Sequence, residues 1–168
     1  MKTQIYIMSK PSIVLVPGAW HVPAHFSQVI EKLEDQGYVC VGVNLPTNTQ
    51  NPLVDGRLLG IEDDAAAIRA AVMSQLDTGN DVVVVTHSYS SILGTAALTR
   101  LSLKARKIAG NTNRVVSVVI ISGFILPSDS TMLTIMGGQL PPPIPPRNQH
   151  KLTFRRSRCH KHPLQRFR

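Results

Sequence analysis

Ser88 is the residue whose surroundings point first to chemistry. It stands in Thr86-His87-Ser88-Tyr89-Ser90, directly after the apolar run Val82-Val83-Val84-Val85 and directly before apolar residues at helical spacing. A strand that turns sharply into a helix is the arrangement that presents a nucleophilic serine. So tight a turn demands small side chains two residues before and two after it, where glycine is the usual solution. Thr86 and Ser90 are small but lack glycine's backbone freedom. A serine hydroxyl is a poor nucleophile at neutral pH and needs a histidine base, itself oriented by a carboxylate. The plain alternative is that Ser88 caps an ordinary helix.

A second segment bears on that choice. Ile13-Val14-Leu15-Val16 reads as a short strand and runs into Pro17-Gly18-Ala19-Trp20-His21. Over about residues 11 to 136 the two segments resemble the α/β-hydrolase fold, most closely the small esterases and hydroxynitrile lyases that read HGAWH or HGAxH early and HSxGG at the serine. The chain departs from that pattern at Pro17, where histidine is common, and at Ser90-Ser91, where two glycines are common. The resemblance implies that Ser88 is the nucleophile and that the backbone N–H groups of Ala19 and Tyr89 form the oxyanion hole. It also implies that Gly18, Trp20 and His21 lie against the substrate. His87 is expected to pack at the turn and His25 to lie on the surface.

In that fold the acid and then the histidine follow the serine along the chain. After Ser88 the acidic residue is Asp129, and the histidines are His150, His160 and His162. Asp129 and His150 are therefore the candidates for acid and base. The place of Asp129 also resembles a Pro-Asp segment that shapes the family's cap loop.

The elements that must position these groups alternate. After the first strand come a helix from about Ala24 to Gln36, a strand over 38–43, and a loop over 44–60. A helix from about Ile61 to Leu76 follows, with Glu62, Asp63 and Asp64 in its first turn favouring the macrodipole. Then come the serine strand, one helix over 91–108 and a last strand over 115–122. The expected fold is α/β, a parallel sheet with helices on both faces, forming the N-terminal part of an α/β-hydrolase.

The net charge of +8 suggests nucleic acid until it is located. All eight excess cations, Arg147, Lys151, Arg155, Arg156, Arg158, Lys161, Arg166 and Arg168, follow the polyproline stretch Leu140–Pro146, and the rest of the chain is balanced. The expected division is a core over 1–136, a Pro-rich linker over 137–146 and a disordered basic tail over 147–168. The switch in composition looks like a truncation or a changed reading frame, and an incomplete sheet would expose an apolar edge prone to self-association. Cys40 and Cys159 have no pairing or ligand spacing, and no dinucleotide or P-loop motif occurs, so no metal or cofactor is expected. The apolar runs are shorter than the roughly 20 residues of a membrane span, and the expected setting is cytoplasmic. The leading reading is a hydrolase of small carboxylic esters or amides, with no nucleic-acid partner. A catalytically inactive relative and an interaction protein working through its tail are the alternatives, and hydroxynitrile lyase chemistry uses the same residues.

Overall fold

The computed structural model describes residues 9–127, 130–135, 137 and 138. The chain divides into two units, Met1–Ser130 and Thr131–Arg168. In the first, β1 (Ser12–Val16), β2 (Cys40–Gly42), β5 (Val82–His87) and β6 (Val115–Ile121) form a parallel sheet in the order β2-β1-β5-β6. The expected alternation of strands and helices is thus observed. A 3-10 turn (Pro23–Phe26) and α1 (Ser27–Asp35) join β1 to β2, and α2 (Ile61–Asp77) carries the chain back across β1 to β5.

These elements form where apolar side chains find a covered face. Every residue of β1 is buried, as a central strand flanked on both sides requires. In β5 burial alternates: Val82, Val84 and Thr86 are buried, and Val83, Val85 and His87 are only partly so. The buried set faces α2 and α3 (Ser90–Ala97), where Ile68, Val72, Leu76, Leu93 and Ala97 complete a core with Val14 and Val16. α1 lies toward the opposite face, beside His87 and Ile121, and has no buried residue. Helices therefore cover both faces, one well and one thinly. Among the described residues, no helix is long and apolar enough to cross a membrane.

Two elements differ from expectation. The loop over 44–60 contains an antiparallel ribbon, β3 (Leu53–Val54) with β4 (Arg57–Leu58). Its turn residues Asp55 and Gly56 have φ of 50° and 75°, the left-handed pair that a two-residue hairpin needs. The single helix expected over 91–108 is instead two, α3 and α4 (Leu103–Ile108). Arg100 turns left-handed between them (φ 65°), which lets Leu101 fill the core and its carbonyl accept the Val115 N–H at 3.0 Å.

In the second unit, the described residues form α5 (Met132–Ile135). Thr131 Oγ1 accepts the Thr134 N–H at 3.1 Å, and Gly138 closes the turn onto the Leu133 carbonyl at 2.8 Å.

Candidate active site

The register aligns Val16 with Thr86 and His87 with Ile121, so β1, β5 and β6 end side by side. Here the strand order reverses, with β1 leading outward to β2 and β5 leading the other way to β6. Open parallel sheets bind ligands at such a crevice.

Ser88 leaves β5 with φ of 54°, a left-handed conformation that costs a non-glycine residue roughly 1–3 kcal/mol and persists where its surroundings over-determine it. They do so here. The Ser88 N–H donates to Ile121 O at 3.0 Å, and the Ser88 carbonyl accepts the Ser91 N–H at 3.0 Å and the Ser91 hydroxyl at 2.7 Å. Ser90 and Ser91 are buried, and each hydroxyl has work at the turn. Ser90 Oγ accepts the His87 N–H at 3.0 Å and lies 3.0 Å from both the Val16 and His87 carbonyls, either of which takes its proton. Ser91 Oγ accepts the Phe124 N–H at 2.8 Å. Close approach is supplied instead by glycines elsewhere. A Cβ on Gly94 would lie 2.7 Å from Thr86 Cγ2, and one on Gly123 would lie 2.6 Å from Ser91 Oγ.

The Pro17–His21 segment folds against this turn. The His21 N–H donates to Gly18 O at 3.1 Å around a left-handed Trp20 (φ 62°). A Cβ on Gly18 would meet His87 Nδ1 at 2.9 Å, His87 O at 3.2 Å and Ser88 Cβ at 3.3 Å, so only glycine fits. Among the described residues, the Ala19 and Tyr89 N–H groups have no acceptor. For Tyr89 this follows from its place as N-cap of α3, where the first N–H groups lack helical partners.

Pro17, His21, His25, Phe26, Val29, His87 and Ile121 line a cavity of about 440 Å³. The ring of His21 meets that of His25 edge-on at 4.9 Å and that of His87 at 5.6 Å. His21 Nδ1 lies 2.8 Å from Ala19 O. His21 and His25 are both exposed and both line this cavity. Trp20 is 85% exposed and is not part of the cavity wall. Among the described residues, Ser88 Oγ has no hydrogen bond to a histidine. Asp129 and His150 lie outside the described residues, as do the polyproline stretch and the basic tail.

Three residues were not singled out from sequence as site residues. Asp64 is fully buried and accepts the Thr47 N–H at 2.9 Å, the Thr47 hydroxyl at 2.6 Å and the Tyr89 hydroxyl at 3.0 Å. Burial, then the Asp64 carboxylate, push the Tyr89 phenol up to about 12. Asn48 accepts the Trp20 N–H at 3.0 Å and donates to Gly18 O at 3.0 Å and His21 O at 2.6 Å. The signal for Asp64 was spacing, because it stands four residues before Ile68 on the stripe that continues through Val72 and Leu76. Its neighbour Asp63 does the work expected of the first turn, accepting the Gly60 N–H at 2.8 Å. The Arg57 guanidinium beside it holds Asp63 well below the usual carboxylate range.

Known proteins supply the lineage. The model of the alpha/beta hydrolase family matches residues 13–167, nearly the whole chain. The chain belongs to the alpha/beta hydrolase family. It is 33% identical to the alpha/beta hydrolase nvfD of Aspergillus novofumigatus (strain IBT 16806) over 138 residues, 82% of this chain and 51% of that one. To the probable hydrolase R7 of Phoma sp. (strain ATCC 20986 / MF5453) it is 36% identical over 97 residues, 58% of this chain and 39% of that one. The matched part is thus about half, or less, of each of these two relatives. An extracellular alpha/beta-hydrolase from a Paenibacillus species superposes with a TM-score of 0.48 at 12% identity, covering 70% of this chain and 43% of that one.

Proposed function

We propose that this chain carries the nucleophile half of a serine hydrolase acting on a small carboxylic ester or amide. Ser88 Oγ attacks the carbonyl carbon while its proton passes to a histidine base. The Ala19 and Tyr89 N–H groups receive the resulting oxyanion. Collapse expels the alcohol or amine, which takes up the proton, and water then cleaves the Ser88 ester by the same steps. Within the chain, Asp129 and His150 are the candidates for acid and base.

One observation carries the reading. Ser88 sits in a left-handed turn held from β6, α3 and the Gly18 loop, and beside it the Ala19 and Tyr89 N–H groups have no acceptor among the described residues. The second reading, an inactive relative, is favoured by the lack of any histidine bonded to Ser88 Oγ among the described residues. Hydrolysis of short-chain p-nitrophenyl esters separates the two. Activity of the purified chain that falls to the uncatalysed rate in Ser88→Ala supports the nucleophile. Equal rates in both proteins would overturn it.

A further inference from the structure

Asp64 takes no part in the chemistry proposed for Ser88, yet it is a carboxylate at full burial. Burying a charge is costly unless it is fully hydrogen-bonded, and packing of α2 would be served by an apolar residue at this position of the Ile68, Val72 and Leu76 stripe. What the carboxylate gains there is a junction. Its three bonds come from two segments distant in sequence: the N–H and hydroxyl of Thr47, and the hydroxyl of Tyr89. All three are donors, and an ionised carboxylate is the side chain that accepts them all while donating nothing.

The bridge continues at both ends. Asn48, the residue after Thr47, grips the Gly18–His21 turn through the Gly18 carbonyl, the Trp20 N–H and the His21 carbonyl, and so encloses Ala19. At the other end, Tyr89 carries on its own backbone the second amide without an acceptor among the described residues. The Ala19 turn and the Tyr89 turn, which approach each other from β1 and β5, are therefore tied a second time through Thr47, Asn48 and Asp64.

We propose that Asp64 is a positioning residue that fixes the spacing of the Ala19 and Tyr89 amides. The proposal rests on the reading of those amides as the oxyanion donors. Asparagine at this place presents one acceptor oxygen and an NH2 group to three donors, so the bridge loosens at one end without a change of size.

The test uses the full chain with a fluorophosphonate inactivator, resolving its inactivation into a binding constant and a rate constant. Beside it, fluorescence anisotropy decay of Trp20, the chain's single tryptophan, reports the order of the Ala19 turn. In Asp64→Asn, the rate constant falls on the order of 10-fold while binding stays within about twofold, the signature of a misplaced donor rather than a lost pocket. Trp20 gains local motion. Thr47→Val and Tyr89→Phe each remove one hydroxyl from the same carboxylate and give smaller losses of the same kind, which keeps the test decisive if Asp64→Asn does not fold. Tyr89→Phe added to Asp64→Asn costs little more. Asp63→Asn, one residue away and outside the bridge, leaves both readouts unchanged. Wild-type inactivation and Trp20 motion in a folded Asp64→Asn chain would overturn the proposal. If the wild type is never inactivated, the Ser88 reading fails, and Trp20 then decides alone whether Asp64 holds the turn.

Discussion

Ser90 stands at the position where the resemblance leads one to expect glycine, and its hydroxyl explains why the turn accepts it. Ser90 Oγ is the acceptor for the His87 N–H and lies within 3.0 Å of the carbonyl ending β1. Ser90→Ala leaves that part-buried N–H unsatisfied, which costs about 1–3 kcal/mol. Urea unfolding of the variant measures this, and a change below about 0.5 kcal/mol, the range of ordinary surface substitutions, would mean that the bond carries no weight. Tyr89 gives a pH signature. Its phenol is raised in the fold from 10.0 to about 12 by burial and then by Asp64. A folded pKa above the unfolded one contributes stability that is complete below pH 10 and is lost as pH climbs toward 12. The stability difference between wild type and Tyr89→Phe is therefore expected to shift within that window. A difference constant from pH 8 to 12 would contradict it. Much of this scale was hidden in the sequence. The turn at Ser88 is legible because its strand and helix flank it, whereas Asp64 stands among three first-turn acids, where its place on the Ile68 stripe marks it for burial but nothing in the sequence names its partners Thr47 and Tyr89.

At the scale of elements, the strands that carry the site were legible because each is a short apolar run ending in turn residues. β1 and β5 fall within a residue or two of their expected places, and α2 matches its amphipathic stripe. The ribbon of β3 and β4 differs from the expected loop although Asp55-Gly56 is a hairpin signal, because two-residue strands, one of them carrying Arg57, have no periodicity to read. The break between α3 and α4 was missed because apolar residues continue at helical spacing across it, and Leu101 keeps its burial by leaving the helix. The contact of α3 with β5 is set by Gly94, whose missing Cβ would lie 2.7 Å from Thr86 Cγ2. Gly94→Ala is expected to destabilise the fold by about 1–3 kcal/mol through overpacking, despite alanine's better helix propensity. A stabilised variant in thermal or urea unfolding would show that the helix simply moves away.

For the whole molecule, the edge of the sheet matters most. Val116, Val118, Val119 and Ile121 of β6 are each between 39% and 43% exposed, on both faces of a strand that has no further neighbour among the described residues. An exposed apolar edge of this kind invites pairing with another chain. The 168-residue chain is therefore expected to associate in a concentration-dependent way in sedimentation velocity, and Val118→Lys with Val119→Lys to suppress it. A wild-type chain that stays monomeric at high concentration would contradict this. Whatever covers that edge, the central claim concerns Ser88, and it is tested most directly by intact-mass measurement after treatment with a fluorophosphonate probe. The expected result is one adduct per chain in the wild type and none in Ser88→Ala. A folded wild-type chain that remains unmodified would contradict the claim that Ser88 is an activated nucleophile.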